Sequence, residues 1–306
     1  MTQELYKKYR PVSFDRVNGQ EAAIKVLSTF VEKNTIPHAI LFTGPSGCGK
    51  TTLARILTKH LECGISDFQE LNCADLTGID EVRKIRQRMG YACMGGKSRV
   101  WIIDEAHKLS NAAQNAFLKM LEDTPKHVYF IFCTTEPNKI ITTIKTRCTP
   151  IHLKALTPND IRKSISYVSR KENIDISKEV VNKIIEVSEG SARHAIVILD
   201  QIIGLTNEDE QLANIVPPKA QAEAIEVFKT LMYGHPTWSK MAVILKALEE
   251  EPEGIRRLVL ACARNTLLSD KNTQKAAIII EEFRDNYFDC GAAGLAASCY
   301  AVINGR

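Results

Sequence analysis

No apolar run in the 306 residues is long enough to span a bilayer, and no secretory leader opens the sequence. This excludes a helical membrane protein and predicts a soluble, intracellular, cytoplasmic one. The chain also lacks strong charge of either sign. Its net charge is only +4, so any nucleic-acid contact must come from a local basic surface. Nine cysteines are present, yet none stands in C-x-x-C or another zinc-ligand spacing. Several lie inside apolar segments, where a free thiol packs as a small hydrophobe, so no zinc is expected and a reducing compartment is. Repeats and low-complexity tracts are missing too. What remains, 44% hydrophobic and 25% charged, is ordinary globular composition, and the length predicts two or three domains.

The most informative stretch that is present is Gly44-Pro45-Ser46-Gly47-Cys48-Gly49-Lys50-Thr51. It follows the apolar run Ala39-Ile40-Leu41-Phe42 and opens a helical pattern at Thr52-Leu53-Ala54, the strand, loop and helix order of a phosphate-binding P-loop. Glycines let successive backbone N–H groups converge on phosphate oxygens, and the helix N-terminus adds its dipole. Lys50 is expected to reach the β and γ phosphates, and Thr51 to hold Mg²⁺. A second motif follows. Arg99-Val100-Trp101-Ile102-Ile103 reads as a buried parallel strand and ends in Asp104-Glu105-Ala106-His107. Asp104 is placed for the Mg²⁺ shell and Glu105 for orienting and deprotonating a water. His107 reads as a helix-start residue.

Strand candidates at 39–43, 68–72, 99–104, 127–134 and 150–153 alternate with helical patterns at 50–61, 79–90 and 111–122. That alternation predicts an α/β domain over 1–155, a parallel five-stranded sheet with helices on both faces. Asn111 is expected to cap its helix and Thr124-Pro125 to end it. From 157 the strands stop. Thr157-Pro158, Ser177 and Gly190-Ser191 each open a helix, giving a small three-helix bundle within 156–216. Polar residues 206–211 and Pro217-Pro218 read as a linker. Residues 217–306 form a second all-helical domain with clusters such as Leu258-Val259-Leu260.

Further segments carry a resemblance. Lys8-Tyr9-Arg10-Pro11, then Phe14 and Val17-Asn18-Gly19-Gln20, resembles the N-terminal signature of AAA+ clamp-loader subunits, the ATPases that open sliding clamps and place them on DNA. Glu70-Leu71-Asn72-Cys73-Ala74-Asp75 with Gly78-Ile79-Asp80-Glu81-Val82-Arg83 is similar to small subunits of replication factor C. Met120-Leu121-Glu122-Asp123-Thr124-Pro125 through Thr134-Thr135-Glu136-Pro137 resembles the bacterial gamma/tau subunit. The resemblance has motif quality over about 1–205 and is architectural over 220–306.

The resemblance implies a P-loop AAA+ domain, a helical lid and a helical collar that oligomerises. Thr135 matches the first sensor, which positions the lytic water. Thr146-Arg147-Cys148 matches a Ser-Arg-Cys motif whose arginine enters the neighbouring subunit's site. Gly190-Ser191-Ala192-Arg193 matches the second sensor, with Arg193 on the γ-phosphate. Adenine is expected near Arg10, Pro11 and Val17, and Thr52 beside the phosphates. The implied cofactors are ATP and Mg²⁺. The implied partners are a sliding clamp, other loader subunits in a homo- or hetero-pentamer, primer–template DNA and the replicative polymerase, with no membrane. The implied location is the nucleoid, or a host cytoplasm for a viral protein. Arg83, Lys84, Arg86 and Arg88 are the DNA candidates, although such a cluster is also how a solvated helix face looks.

Two departures stand out. Gamma/tau chains carry a four-cysteine zinc module after the P-loop helix, whereas Leu61-Glu62-Cys63-Gly64-Ile65 runs almost directly into the next strand. The long tail of tau is also missing, so the layout is closer to a compact replication factor C small subunit. Three alternatives remain: a ring subunit that binds nucleotide without turnover, another AAA+ DNA-remodelling ATPase, and a DEAH-type helicase. The last needs a second RecA-like domain that the helical C-terminal half does not provide.

Overall fold

The computed structural model describes residues 4–73, 79–205, 207–215, 219–233, 237–269, 273–287 and 289–304. Pro217-Pro218, Thr206 and the Ala74, Asp75 and Gly78 of the second family stretch lie outside the described residues. The chain divides into two compact units, Met1–Ile215 and Val216–Arg306.

Five strands build one sheet: β1 (Ala39–Thr43), β2 (Cys63–Asn72), β3 (Ser98–Asp104), β4 (Val128–Thr134) and β5 (Thr149–His152), in the order β2-β3-β4-β1-β5. Every pairing is parallel. Parallel strands need crossovers, and helices supply them on both faces, so the central strands are apolar throughout rather than alternating. Leu41, Trp101, Ile103, Phe130 and Phe132 face a layer containing Val82, Ile85, Phe117 and Met120. Phe117 sits edge-on to both Phe130 and Phe132. On the opposite face Ile40, Phe42, Val100, Ile102 and Ile131 pack with Leu27, Leu53, Ile56 and Leu57.

β2 begins at Cys63, well before the expected 68, with a register shift between Cys63 and Phe68. Its polar early residues conceal the strand in the sequence. Asp67 is buried there and accepts from Arg99 Nη2 at 2.6 Å and from the N–H groups of Met94 and Gly95 at 2.8 and 2.9 Å. Burial works to raise the Asp67 pKa, but the Gly95 N–H and the Arg99 guanidinium prevail and hold it below the usual value. This polar knot fixes the turn that precedes β3.

Helices Pro158–Glu172, Lys178–Ser188, Ala192–Ile202 and Glu208–Asn214 share a core that includes Ile165, Ile184 and Leu199. Thr157 and Asp160 form a capping box, and Ser177 and Ser191 accept from the N–H groups of Val180 and His194. Two expectations are corrected. Ser110, not Asn111, caps the Asn111–Glu122 helix, accepting from the Ala113 N–H at 3.2 Å; its hydroxyl is one residue better placed for the third helical N–H. The polar stretch expected as a linker instead contains a fourth helix, Glu208–Asn214, capped by Asn207 and carrying three acidic residues in its first turn, where the helix dipole favours them.

In the second unit, helices between Lys219 and Asn304 surround Val227, Leu231, Ile255, Val259, Ile279 and Phe283. A buried ion pair braces this core. Glu253 binds Arg256 through both oxygens, at 2.7 and 2.8 Å, and accepts from the Tyr287 N–H at 2.9 Å. Arg256 above all, against the cost of burial, lowers the Glu253 pKa to about 2. Among the described residues no helix is long and apolar enough to cross a membrane.

Candidate functional site

The C-terminal ends of β1 and β3 open into a cavity of about 780 Å³ that is also lined by helices Pro158–Glu172 and Ala192–Ile202. The β1 end carries the P-loop. Gly44 takes φ 149°, where a Cβ would collide with the Leu153 carbonyl, and Gly47 takes φ 71°, where it would strike the Ser191 hydroxyl. Only glycine lets the loop pass so close to β5 and the lid. The loop ends at Gly49, and helix Lys50–His60 starts with its N-terminus facing the cavity. Lys50 is buried and its Nζ donates to the Gly44 and Pro45 carbonyls at 2.9 Å each, keeping the ammonium inside the loop.

The β3 end brings the carboxylates. Thr51 Oγ1 donates to Asp104 Oδ2 at 2.8 Å, and Asp104 Oδ1 accepts from the Glu105 N–H at 3.0 Å. A hydroxyl and a carboxylate side by side are the hard oxygen donors that Mg²⁺ prefers, so this pair could hold one coordination edge of that ion. Glu105 has φ 51°, an uncommon conformation for a residue with a Cβ, which turns its side chain toward the cavity. Thr135, just past β4, donates to Glu105 Oε2 at 3.5 Å.

Helix Ala192–Ile202 contributes Arg193 to the same cavity, its guanidinium 4.9 Å from the centre of the Tyr6 ring. The cavity lining also includes the apolar or ring-bearing side chains of Tyr6, Tyr9, Pro11, Val17, Leu156 and Ile196, suited to a planar base. Arg10 lines the cavity too. Its Nη1 is buried with no hydrogen-bond partner, and burial followed by the nearby Arg55 cation lowers its pKa. An orphaned buried donor of this kind is costly unless an acceptor meets it, which fits an oxygen-rich anionic ligand. Burial raises the Cys48 thiol, so the P-loop cysteine is not a poised nucleophile.

Most of the expected site residues therefore meet in one place: Arg10, Pro11, Val17, the loop from Ser46 to Thr52, Asp104, Glu105, Thr135 and Arg193 line the cavity. Gly44 and Pro45 serve through their carbonyls. Arg147 does not join them. It is exposed just beyond the short helix Thr142–Lys145, paired with the Glu122 carboxylate and the Thr143 carbonyl. Arg83, Lys84, Arg86 and Arg88 also lie elsewhere, on the exposed face of helix Ile79–Met89, whose other face buries Val82, Ile85 and Met89. Lys84 is paired with Glu81 at 2.6 Å.

Sequence reasoning missed several participants. Gln20, at φ 63°, donates to the Cys48 and Lys154 carbonyls at 3.2 and 2.7 Å and accepts from the Lys154 N–H, stapling the P-loop to the segment after β5. Asn18 donates to Ser164 on the lid at 2.9 Å. Arg55 and Glu70 form a two-point pair at the cavity wall. Gln20 and Asn18 belong to the Val17-Asn18-Gly19-Gln20 signature, which was their only signal.

Known proteins resemble this chain. The family model described as DNA polymerase III, delta subunit, matches residues 19–78 and 66–157. The DNA polymerase III subunit gamma/tau of Mycobacterium tuberculosis is 37% identical over 222 residues, covering 65% of this chain and 38% of the relative. The tau subunits of Escherichia coli and Bacillus subtilis are 36% and 35% identical over 66% and 67% of this chain, covering 34% and 40% of theirs. The chain thus spans well under half the length of these relatives. All three are gamma/tau subunits, although the layout had pointed toward replication factor C. The Thermotoga maritima RuvB Holliday junction branch migration motor aligns with a TM-score of 0.61 at 20% identity, over 80% of this chain and 87% of that one, a likeness of fold alone. Motifs, sheet and relatives agree: the chain is similar to DNA polymerase III gamma/tau subunits, which supports a clamp-loader AAA+ ATPase.

Proposed function

We propose that the chain is an ATP-hydrolysing subunit of a clamp loader, acting beside other loader subunits on a sliding clamp and primer–template DNA. The observation that carries this reading is the convergence of Lys50, Thr51, Asp104 and Glu105 on one cavity while Arg147 stands outside it. Triphosphate would lie along the N–H groups of the P-loop, with the Lys50 ammonium drawn from its carbonyl partners to the β and γ oxygens. Thr51 and Asp104 would hold Mg²⁺, which when bound neutralises charge on those oxygens. Glu105 would orient the attacking water and take its proton, with Thr135 fixing the carboxylate and the water between them. Arg193 would bring the lid down on the γ-phosphate.

Arg147, exposed and remote from its own cavity, is available to a neighbouring protomer. An arginine delivered there against the developing charge is worth about 10³–10⁵ in rate. Hydrolysis would then depend on assembly, and ATP would favour the assembled state by linkage. We assign 156–216 as the lid and 217–306 as the collar. Helix Ile79–Met89 offers its basic face to DNA phosphates, a contact that should weaken steeply with salt and show little sequence preference. The test is ATP turnover with and without primed DNA and the cognate clamp. Stimulation by both together supports a loader. Lys50→Ala should eliminate nucleotide binding, and Glu105→Gln should bind ATP but scarcely hydrolyse it; wild-type turnover by Glu105→Gln would refute the assignment of the base.

A further inference from the structure

His107 reads in the sequence as a helix-start residue, and its surroundings indicate more. Its side chain is only 5% exposed, in the short turn Ala106–Lys108 behind Glu105. Nδ1 lies 3.4 Å from Glu105 Oε2 and 3.1 Å from Thr134 Oγ1. Nε2, across the ring, lies 3.3 Å from Glu136 Oε1. Thr134 Oγ1 in turn accepts from the Glu136 N–H at 3.0 Å, and Lys139 approaches the other Glu136 oxygen at 2.9 Å. The imidazole thus bridges the carboxylate at the end of β3 and the turn at the end of β4, the turn that also carries Thr135.

We infer that His107 is a positioning residue for ATP hydrolysis, holding the Glu105 carboxylate in register with Thr135. The inference rests on the reading of Glu105 as the base. Glu105 is partly exposed, on a strained backbone, and a free glutamate side chain samples many rotamers that must be restricted to fix it. Oε2 is met from two sides, by the Thr135 hydroxyl and by His107 Nδ1. A stiff, buried ring anchored at its far nitrogen restricts the carboxylate before substrate arrives. Misplacement of a reacting group by about 1 Å can cost about 10²-fold in rate, so the restriction acts on turnover rather than on binding.

The test uses the full chain and Mg-ATP, with hydrolysis followed under single-turnover conditions and ATP affinity measured by titration on the same samples. His107→Ala should lower the rate about 10- to 100-fold while leaving ATP affinity within about threefold. The two conservative variants separate positioning from packing. His107→Asn places an amide roughly where Nδ1 lies and should recover most of the rate, whereas His107→Gln places it near the Nε2 position and should not. Glu136→Gln, an exposed change that leaves the core intact, should slow hydrolysis a few-fold in the parent and have little effect beside His107→Ala. Parent-like rates in both His107→Ala and His107→Gln, with Glu105→Gln inert, overturn the inference and leave the base in place. So does a loss of ATP affinity that matches the loss of rate in every His107 variant. Undiminished turnover by Glu105→Gln overturns the underlying reading, and absence of turnover in the unaltered chain overturns both.

Discussion

Replacing Gly47 with alanine should damage stability and nucleotide affinity by separable mechanisms. At φ 71° an ordinary residue pays about 1–2 kcal/mol in the left-handed region, a cost borne by the folded protein whatever it binds. The new methyl would also strike the Ser191 hydroxyl and lie 3.1 Å from Ser191 Cβ and 3.3 Å from Arg193 Cβ. The first turn of the Ala192–Ile202 helix must therefore move outward and take Arg193 with it. A hydrogen bond from a charged group is worth about 1.5–3 kcal/mol, so losing the proposed Arg193 contact to phosphate should weaken ATP binding about 10- to 150-fold. Ser191→Gly removes the obstruction, and glycine at an N-cap costs only a few tenths of a kcal/mol. The double variant should recover ATP affinity to within about threefold yet remain as destabilised as Gly47→Ala alone. Titration with ATP and urea unfolding of the same samples read the two effects. Unchanged affinity in Gly47→Ala, or a double variant that binds no better than the single one, would refute the contact between loop and lid as the cause.

Other outcomes follow from the same geometry. Arg147→Ala should bind ATP normally yet depress hydrolysis in the adjacent protomer; a mixture with a Lys50→Ala chain that reports only a defect in cis would remove the trans role. Phe117→Ala should cost about 3–5 kcal/mol in urea unfolding, because the ring fills the space against Phe130 and Phe132. Glu253 has a folded pKa of about 2 against an ordinary 4.5, so its contribution is complete above 4.5 and is lost as pH falls toward 2. Hydrogen exchange in helix Pro252–Leu268 should accelerate through that window in the parent, and Glu253→Gln should flatten the dependence while exchanging faster at neutral pH.

Much of this molecule was legible because its signals are local. The P-loop, the Asp104-Glu105 pair and the apolar strands are each contiguous, and the sheet positions them without help from distant residues. The errors lie where local signals compete. Ser110 and Asn111 are both good caps, and only the backbone N–H that a side chain reaches decides between them. The Glu208–Asn214 helix is polar enough to read as a linker, since only Gln211 among its residues is buried. The early part of β2 is held by Asp67 and Arg99, partners 32 residues apart, so nothing near Cys63 announces a strand. Gln20 and His107 act in part through neighbours 27 or more residues away, and their types are too common to stand out. Glu122 belonged to a family stretch, but its pairing with Arg147 depends on how two helices end.

The strand order has a further consequence. β4 lies between the strand that feeds the phosphate loop and the strand that ends in the acid pair, joined to each by its own ladder. Adjacent strands stand about 4.8 Å apart, so cradle and base are gauged at roughly two such intervals by backbone alone. The loops that carry the chemistry can therefore be remodelled while the span between them stays constant, and only melting the middle of the sheet would alter it.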